Sequence, residues 1–243
     1  MRALGRWLLL VLLAFVALQL YFALRIAGMN WLMPESTSFQ RTQAWQIVVR
    51  QGQLPWRQEP VALSAVSTHL HRAVIASEDG AFTQHHGIWW QSLEKAWEKN
   101  ARAKAQAEKR IQRQPEKPVA VKIVGGSTIT QQLAKNLFLS GERTLWRKAQ
   151  EMVITLTLET FLSKRRILEI YLNSVEWGEG VFGAEAAAQH YFRKSAARLN
   201  AWEAARLAVM LPRPRYFEKL AQSAYLASRA DTIMARMGDV VLP

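Results

Sequence analysis

From Trp7 to Leu24 the chain carries no charge, and Gln19 is the only clearly polar side chain in the run. No other stretch restricts the fold so tightly. At helical rise, about 18 residues span about 27 Å, close to the hydrocarbon thickness of a bilayer. A cleaved signal peptide would show a shorter apolar core of roughly 7–15 residues and a small-x-small exit. No convincing exit of that kind follows Leu24, so the run reads as an uncleaved anchor. Arg2 and Arg6 precede it and Arg25 follows. The two leading arginines predict a cytoplasmic N-terminus and a body on the outer side of the membrane; Arg25 opposes them weakly.

The chain has 243 residues, enough for one globular domain of roughly 200 residues beyond the anchor. Half of them are hydrophobic, so a substantial core is available. The formal net charge of +13 favours an anionic partner: nucleic acid, anionic lipid or a phosphorylated substrate. Cysteine is absent, which removes disulfides, zinc–thiolate sites and thiol nucleophiles together.

Apolar spacing predicts helices over Gln40–Val49, Ser64–Ser77, Ile88–Ala101, Thr144–Phe161, Lys164–Leu172, Ala184–Phe192, Ala201–Leu211 and Tyr225–Met237. Gly28 to Ser38 reads as a linker and Gln51 to Pro60 as a loop. Asn173 to Gly183 reads as a loop with exposed acids, and Val119 to Val124 is the one strand candidate. Between Glu94 and Pro118 the composition turns to Ala, Gln, Lys, Arg and Glu, with eight Lys/Arg against four Glu. That segment reads as a mobile or surface-helical excursion. The expected class is mainly α. Three segments are expected: residues 1–27 as N-terminus and anchor, 28–59 as a membrane-proximal linker, and 60–243 as the domain, with the excursion at about 88–124.

Gly125 to Leu139, GGSTITQQLAKNLFL, is polar and small in its first half and apolar at helical spacing in its second, at Leu133, Leu137 and Phe138. Ser127 or Thr128 fits a helix N-cap. A glycine turn opening a helix presents backbone N–H groups and the positive end of the dipole, a setting suited to an anion. Lys135 adds a full charge about two turns in. Upstream, Glu78-Asp79-Gly80 places two carboxylates at a helix exit, where the dipole prefers cations. Such a local breach is more common at functional sites.

No serine stands in G-x-S-x-G, no P-loop is present, and none of the five histidines forms H-E-x-x-H. A metal held by protein ligands is therefore not expected. His85 and His86 could orient a carboxylate. Arg147 and Lys148 lie four and three residues before Glu151, which puts one or both on its helix face. Together with Lys135 and Arg143 they could surround a multiply charged anion. The aromatics are not interleaved with the basic residues as a base-stacking platform needs, so nucleic acid is not the expected partner.

In order, Glu78-Asp79-Gly-Ala-Phe82-Thr-Gln-His85-His86-Gly87, Gly125–Leu139, Arg147-Lys148-Ala-Gln-Glu151 and Lys164-Arg-Arg-Ile-Leu-Glu-Ile-Tyr-Leu-Asn173 resemble the motifs of bacterial peptidoglycan glycosyltransferases. The resemblance covers about residues 60 to 237. No stretch resembling a transpeptidase follows, so the expected form is the monofunctional, membrane-anchored one. It implies a lysozyme-like helical domain with a smaller membrane-associated jaw. The implied reaction polymerises lipid II: the growing strand leaves its undecaprenyl pyrophosphate and joins the 4-hydroxyl of an incoming lipid II, forming a β-1,4 link with inversion. Implied partners are lipid II, the growing glycan strand, membrane lipid and other wall-synthesis proteins. No cofactor is required; a divalent cation, Mg or Mn, would act through the substrate pyrophosphate.

By the motif match Glu78 is the general base, and Glu151 is a second important glutamate with a supporting role. Lys135 and Arg143 match the cations at the donor pyrophosphate, beside Arg147 and Lys148. Ser127, Thr128, Gln132 and Asn136 would line the same groove, and Asp79, Phe82 and His85 would shape the Glu78 side. Arg166 stands where the family often has Glu, and Arg193 where Gly is usual; both read as surface variation. Two rivals remain at this level. A lysozyme-like hydrolase would need no pyrophosphate cluster, and an inactive scaffold of a wall-synthesis complex would need no Glu78, Lys135 and Glu151 set.

Overall fold

Helix α1 (Arg2–Gly28) carries the apolar run as one uninterrupted helix. Its stretch Ala3–Gly28 is long and apolar enough to cross a bilayer. The structure, a computed structural model, describes residues 2–114, 116, 126–142, 144–220 and 223–243. The strand candidate Val119–Val124, Gly125 and Arg143 lie outside the described residues.

Helix α2 (Ser38–Gln51) starts at a capping box. The Thr37 hydroxyl accepts from the Gln40 N–H at 3.0 Å, and the Gln40 side chain accepts from the Thr37 N–H at 2.7 Å. A short 3-10 turn at Leu63–Ala65 precedes α3 (Thr68–Glu78), so the helix predicted from Ser64 begins one turn later. Its Leu70, Val74 and Ile75 are buried, as the apolar stripe requires. Helix α4 (Trp90–Arg113) runs through most of the basic excursion. Ala, Gln, Lys, Arg and Glu are strong helix formers, so this composition propagates a helix even where it buries little. Trp90 and Trp97 on it are exposed.

Helices α5 (Ile129–Phe138), α6 (Leu145–Phe161) and α7 (Lys164–Ser174) follow. Thr128, Thr144 and Ser163 cap them, each side chain accepting a first-turn N–H. Next come α8 (Ala184–Phe192), α9 (Ala201–Met210), α10 (Pro214–Glu218) and α11 (Ala224–Met237). Helices α3, α9 and α11 pack on one another, while α5 lies against α2, α6 and α7. One continuous core results, from Leu70 and Val74 through Leu133, Ile154 and Leu158 to Leu207 and Ile233.

Asn173 to Gly183 is not simply a loop. It contains β2 (Glu176–Gly178) and β3 (Val181–Phe182), which join β1 (Arg57–Gln58) in a sheet ordered β1-β3-β2. β1 runs parallel to β3, and β2 antiparallel. Strands of two or three residues have no room to display a period of two, so no alternation announces them. Gly180 at the turn has φ +72°, and a Cβ there would sit 2.0 Å from the Pro55 carbonyl oxygen. Glu176, expected to be exposed, is buried. Burial pushes its carboxyl up, against the pull of Arg215, whose Nε donates to it at 2.7 Å.

Candidate active site

Glu78 is the last residue of α3, and Asp79 caps the helix end. The Asp79 side chain is buried and does not line Glu78's cavity. One of its oxygens accepts the Ile129 N–H at 3.0 Å, and the other lies 2.9 Å from His85 Nε2. The anion at the start of α5 is therefore a carboxylate of the chain itself. Thr128 and Gln131 complete that cap: the Gln131 side chain accepts the Thr128 N–H at 3.0 Å, and the Thr128 hydroxyl accepts the Gln131 N–H at 3.2 Å. The same hydroxyl donates to the Gly87 carbonyl at 2.6 Å. Gly87 is required there, because at φ +82° a Cβ would meet Thr155 at 2.7 Å. The expected anion-binding helix start is thus occupied, and it fixes the end of α3 to the beginning of α5.

That brace sets Glu78 beside the next turn of α5. Gln132 Nε2 donates to Glu78 at 2.8 Å, and the Tyr171 hydroxyl donates to Gln132 Oε1 at 3.0 Å. An ionised carboxylate can only accept, so the amide turns its donor end to Glu78 and leaves its oxygen to the Tyr171 hydroxyl. Tyr171 is fully buried. Burial first, then the Glu78 and Asp79 carboxylates, push its hydroxyl well above the usual phenol range, so it remains a donor. Burial also raises Glu78 above the ordinary carboxylate value; the bonds from Gln132 and Ser77 oppose the shift and Asp79 adds to it.

Helix α6 brings the second group. Glu151 is buried, accepts from Arg147 at 2.8 Å and pairs with Lys148. The i, i+4 and i, i+3 spacing thus places both cations on its face, in a setting more enclosed than a surface ion pair.

Glu78, Lys135, Arg147, Lys148 and Glu151 line one cavity of about 950 Å³, together with Ser127, Gln132 and Asn136. Of the other residues singled out from the sequence, Thr128, Asp79, Phe82 and His85 are buried behind this wall. Phe82 packs in the core with the Lys164 ammonium 4.6 Å from its ring centroid. Four cavity residues come from α2, read from the sequence only as a short helix next to a linker: Phe39, Thr42, Gln43 and Gln46. Their spacing puts them on one helical face, which is the signal that could have found them. Gln43 is held by Arg215, which also bonds Glu176. Among the described residues no group of three His, Asp or Glu comes together to hold a metal ion. A divalent cation therefore has no carboxylate or imidazole cage among them.

A family model described as Transglycosylase matches residues 47–238. A biosynthetic peptidoglycan transglycosylase from Herminiimonas arsenicoxydans is 50% identical over 244 residues, covering 100% of this chain and 99% of that protein. One of the same description from Burkholderia thailandensis is 50% identical over 230 residues, covering 95% of this chain and 84% of the relative. Another from Janthinobacterium sp. (strain Marseille) is 48% identical, with 100% and 99% covered. Matched over most of its length by the family model and over all of it by such relatives, the chain belongs to the transglycosylase family.

Proposed function

We propose that this protein polymerises lipid II into peptidoglycan glycan strands and that Glu78 is the base of the reaction. One observation carries the reading: a carboxylate with a raised pKa, held by the Tyr171–Gln132 relay, shares a cavity with Lys135, Arg147 and Lys148. A base needs a fixed direction and a pKa closer to the working pH, and Glu78 has both. In the proposed step Glu78 takes the proton of the acceptor 4-hydroxyl as its oxygen attacks the donor's anomeric carbon. The bond to the pyrophosphate breaks, the pyrophosphate leaves with the electron pair, and the configuration inverts.

Negative charge grows on the leaving oxygen in that step, and fixed cations stabilise it. Each contact has a gross Coulomb energy of about 4 kcal/mol at 4 Å for an effective dielectric near 20. Lys135, Arg147 and Lys148 are the described cations for this task, with Arg143 assigned to it by the motif match alone. Glu151 keeps Arg147 and Lys148 in place. A divalent cation would be held by the substrate's own pyrophosphate, and no step here depends on it. Arg2 and Arg6 favour a single-pass topology with the cavity on the outer side of the inner membrane, where membrane lipid and the growing strand meet it.

The reading is tested by giving the purified full chain lipid II in one reaction and finished glycan in another. Long strands from lipid II with intact finished glycan are expected. Cleavage of finished glycan without polymer would favour the hydrolase instead, and neither activity would favour a scaffold.

A further inference from the structure

The proposed chemistry leaves Gln19, the polar residue of the apolar run, without a task. Its amide exchanges two hydrogen bonds with Gln150 of α6, at 3.3 Å in one direction and 3.0 Å in the other. Further on, Asn30 donates to the Phe161 carbonyl at 2.9 Å. Both pairs are 131 residues apart in sequence, so α1 and α6 run side by side in the same direction. Between these two pairs Phe22 meets Phe138 of α5 edge-on at 5.1 Å, and Ile26 is completely buried. Arg166, a departure from the family pattern, donates to the Met29 carbonyl at 2.6 Å. The membrane helix is thus seated on both helices that carry the cationic side of the cavity.

Helix α6 has the outside of a lipid-facing helix. None of its exposed positions beyond Lys148 is charged; they include Val153, Leu156 and Phe161. Leu145 and Trp146 at its start are 89% and 87% exposed. Gln19 lies about 7.5 Å inside the Leu24 edge of the apolar run at helical rise. An amide at that depth is costly unless paired, so its pairing with Gln150 favours one seating of the two helices. Gln150 is the chain neighbour of Glu151, about 100° round the helix from it, and faces the anchor.

We propose that Gln19 and Gln150 are positioning residues: their amide pair docks the anchor on α6 and fixes the depth at which the cavity opens to the bilayer. This rests on the polymerase reading, because depth matters for a substrate held in the bilayer by its lipid chain. Two assays separate it from plain structural support. In the first, the full chain is reconstituted in vesicles with full-length lipid II. In the second, it is dispersed in detergent with a short-chain lipid II analogue. Gln19→Leu and Gln150→Leu should each lose about fivefold in kcat/KM in vesicles, the size of one interhelical polar pair. Neither should change the detergent rate, and the double variant should be no worse than either single one. Equal losses in both assays would reduce the pair to structural support, and no loss in vesicles would leave it idle; either overturns the proposal. Absence of polymer from the unaltered chain would instead strike the polymerase reading. The absence of cysteine allows a second check: with both glutamines kept, Asn30→Cys with Phe161→Cys, at the exposed end of the same helix contact, should cross-link through a short bis-maleimide in vesicles. Failure to cross-link in a chain that still polymerises would show the helices apart.

Discussion

Glu78 ionises against its surroundings, and that governs both its chemistry and its cost. Burial raises its pKa above the ordinary value, so the folded state holds the proton more tightly than the unfolded chain does. Stability from this group is present at low pH and is lost as pH rises from the ordinary carboxylate value through the raised one. Activity runs the opposite way, since the base works only when ionised. The kcat/KM profile should therefore fall on its acid side above the usual glutamate range; a limb at an unperturbed carboxylate value would contradict the burial argument. Arg193 shows a different residue-scale cost. It holds φ 54° and closes α8 in the left-handed conformation, the one described non-glycine residue with positive φ. The glycine usual in the family suits that conformation, so Arg193→Gly should stabilise by about 0.5–1 kcal/mol, read as a higher Tm in thermal melts. Both residues stood out in the sequence, but the reason for the arginine's cost did not, because a backbone angle has no signature in residue type.

At the scale of elements, one carboxylate joins two helices. Asp79 ends α3 and caps α5, with His85 on its other oxygen. Asp79→Asn keeps the size of the side chain but removes one charged acceptor from a buried site. It should cost about 1–3 kcal/mol in denaturant melts and slow turnover by loosening Glu78 against Gln132. A variant of unchanged stability would show that the brace is dispensable. The sequence made the helix start legible through Gly-Ser-Thr, and its suitability for an anion follows from the helix dipole. It did not reveal that the anion comes from the chain itself, because Asp79 and Ile129 meet only through the tertiary fold. The long helices were legible from their apolar stripes. The sheet was not: its strands are held by the Gly180 turn and by pairing with the distant Arg57–Gln58, both invisible to periodicity.

Across the whole molecule, the anchor and the domain form one piece. Ile26 and Met29 belong to the domain's core, and Asn30 and Arg166 tie the end of α1 to its neighbours. The apolar run was legible as a helix long enough to cross a bilayer, because length and composition decide that. Its seating on α5 and α6 was not, since Gln19 and Gln150 are unremarkable singly and informative only as a pair. Removing residues 2–28 should lower stability by at least the roughly 1.5–3 kcal/mol of a buried isoleucine, seen as a lower Tm than the full chain in the same detergent. Equal melting temperatures would mean that the anchor is merely tethered.

Glu78→Gln with purified lipid II tests the central claim most directly. Glutamine retains the shape and can still bond Gln132, but it cannot take a proton from the acceptor hydroxyl. The account predicts a folded protein, no less stable near neutral pH, whose glycan polymerisation falls by about a hundredfold or more, the usual scale of general-base catalysis. Polymerisation near the unaltered rate by a folded Glu78→Gln chain would contradict it.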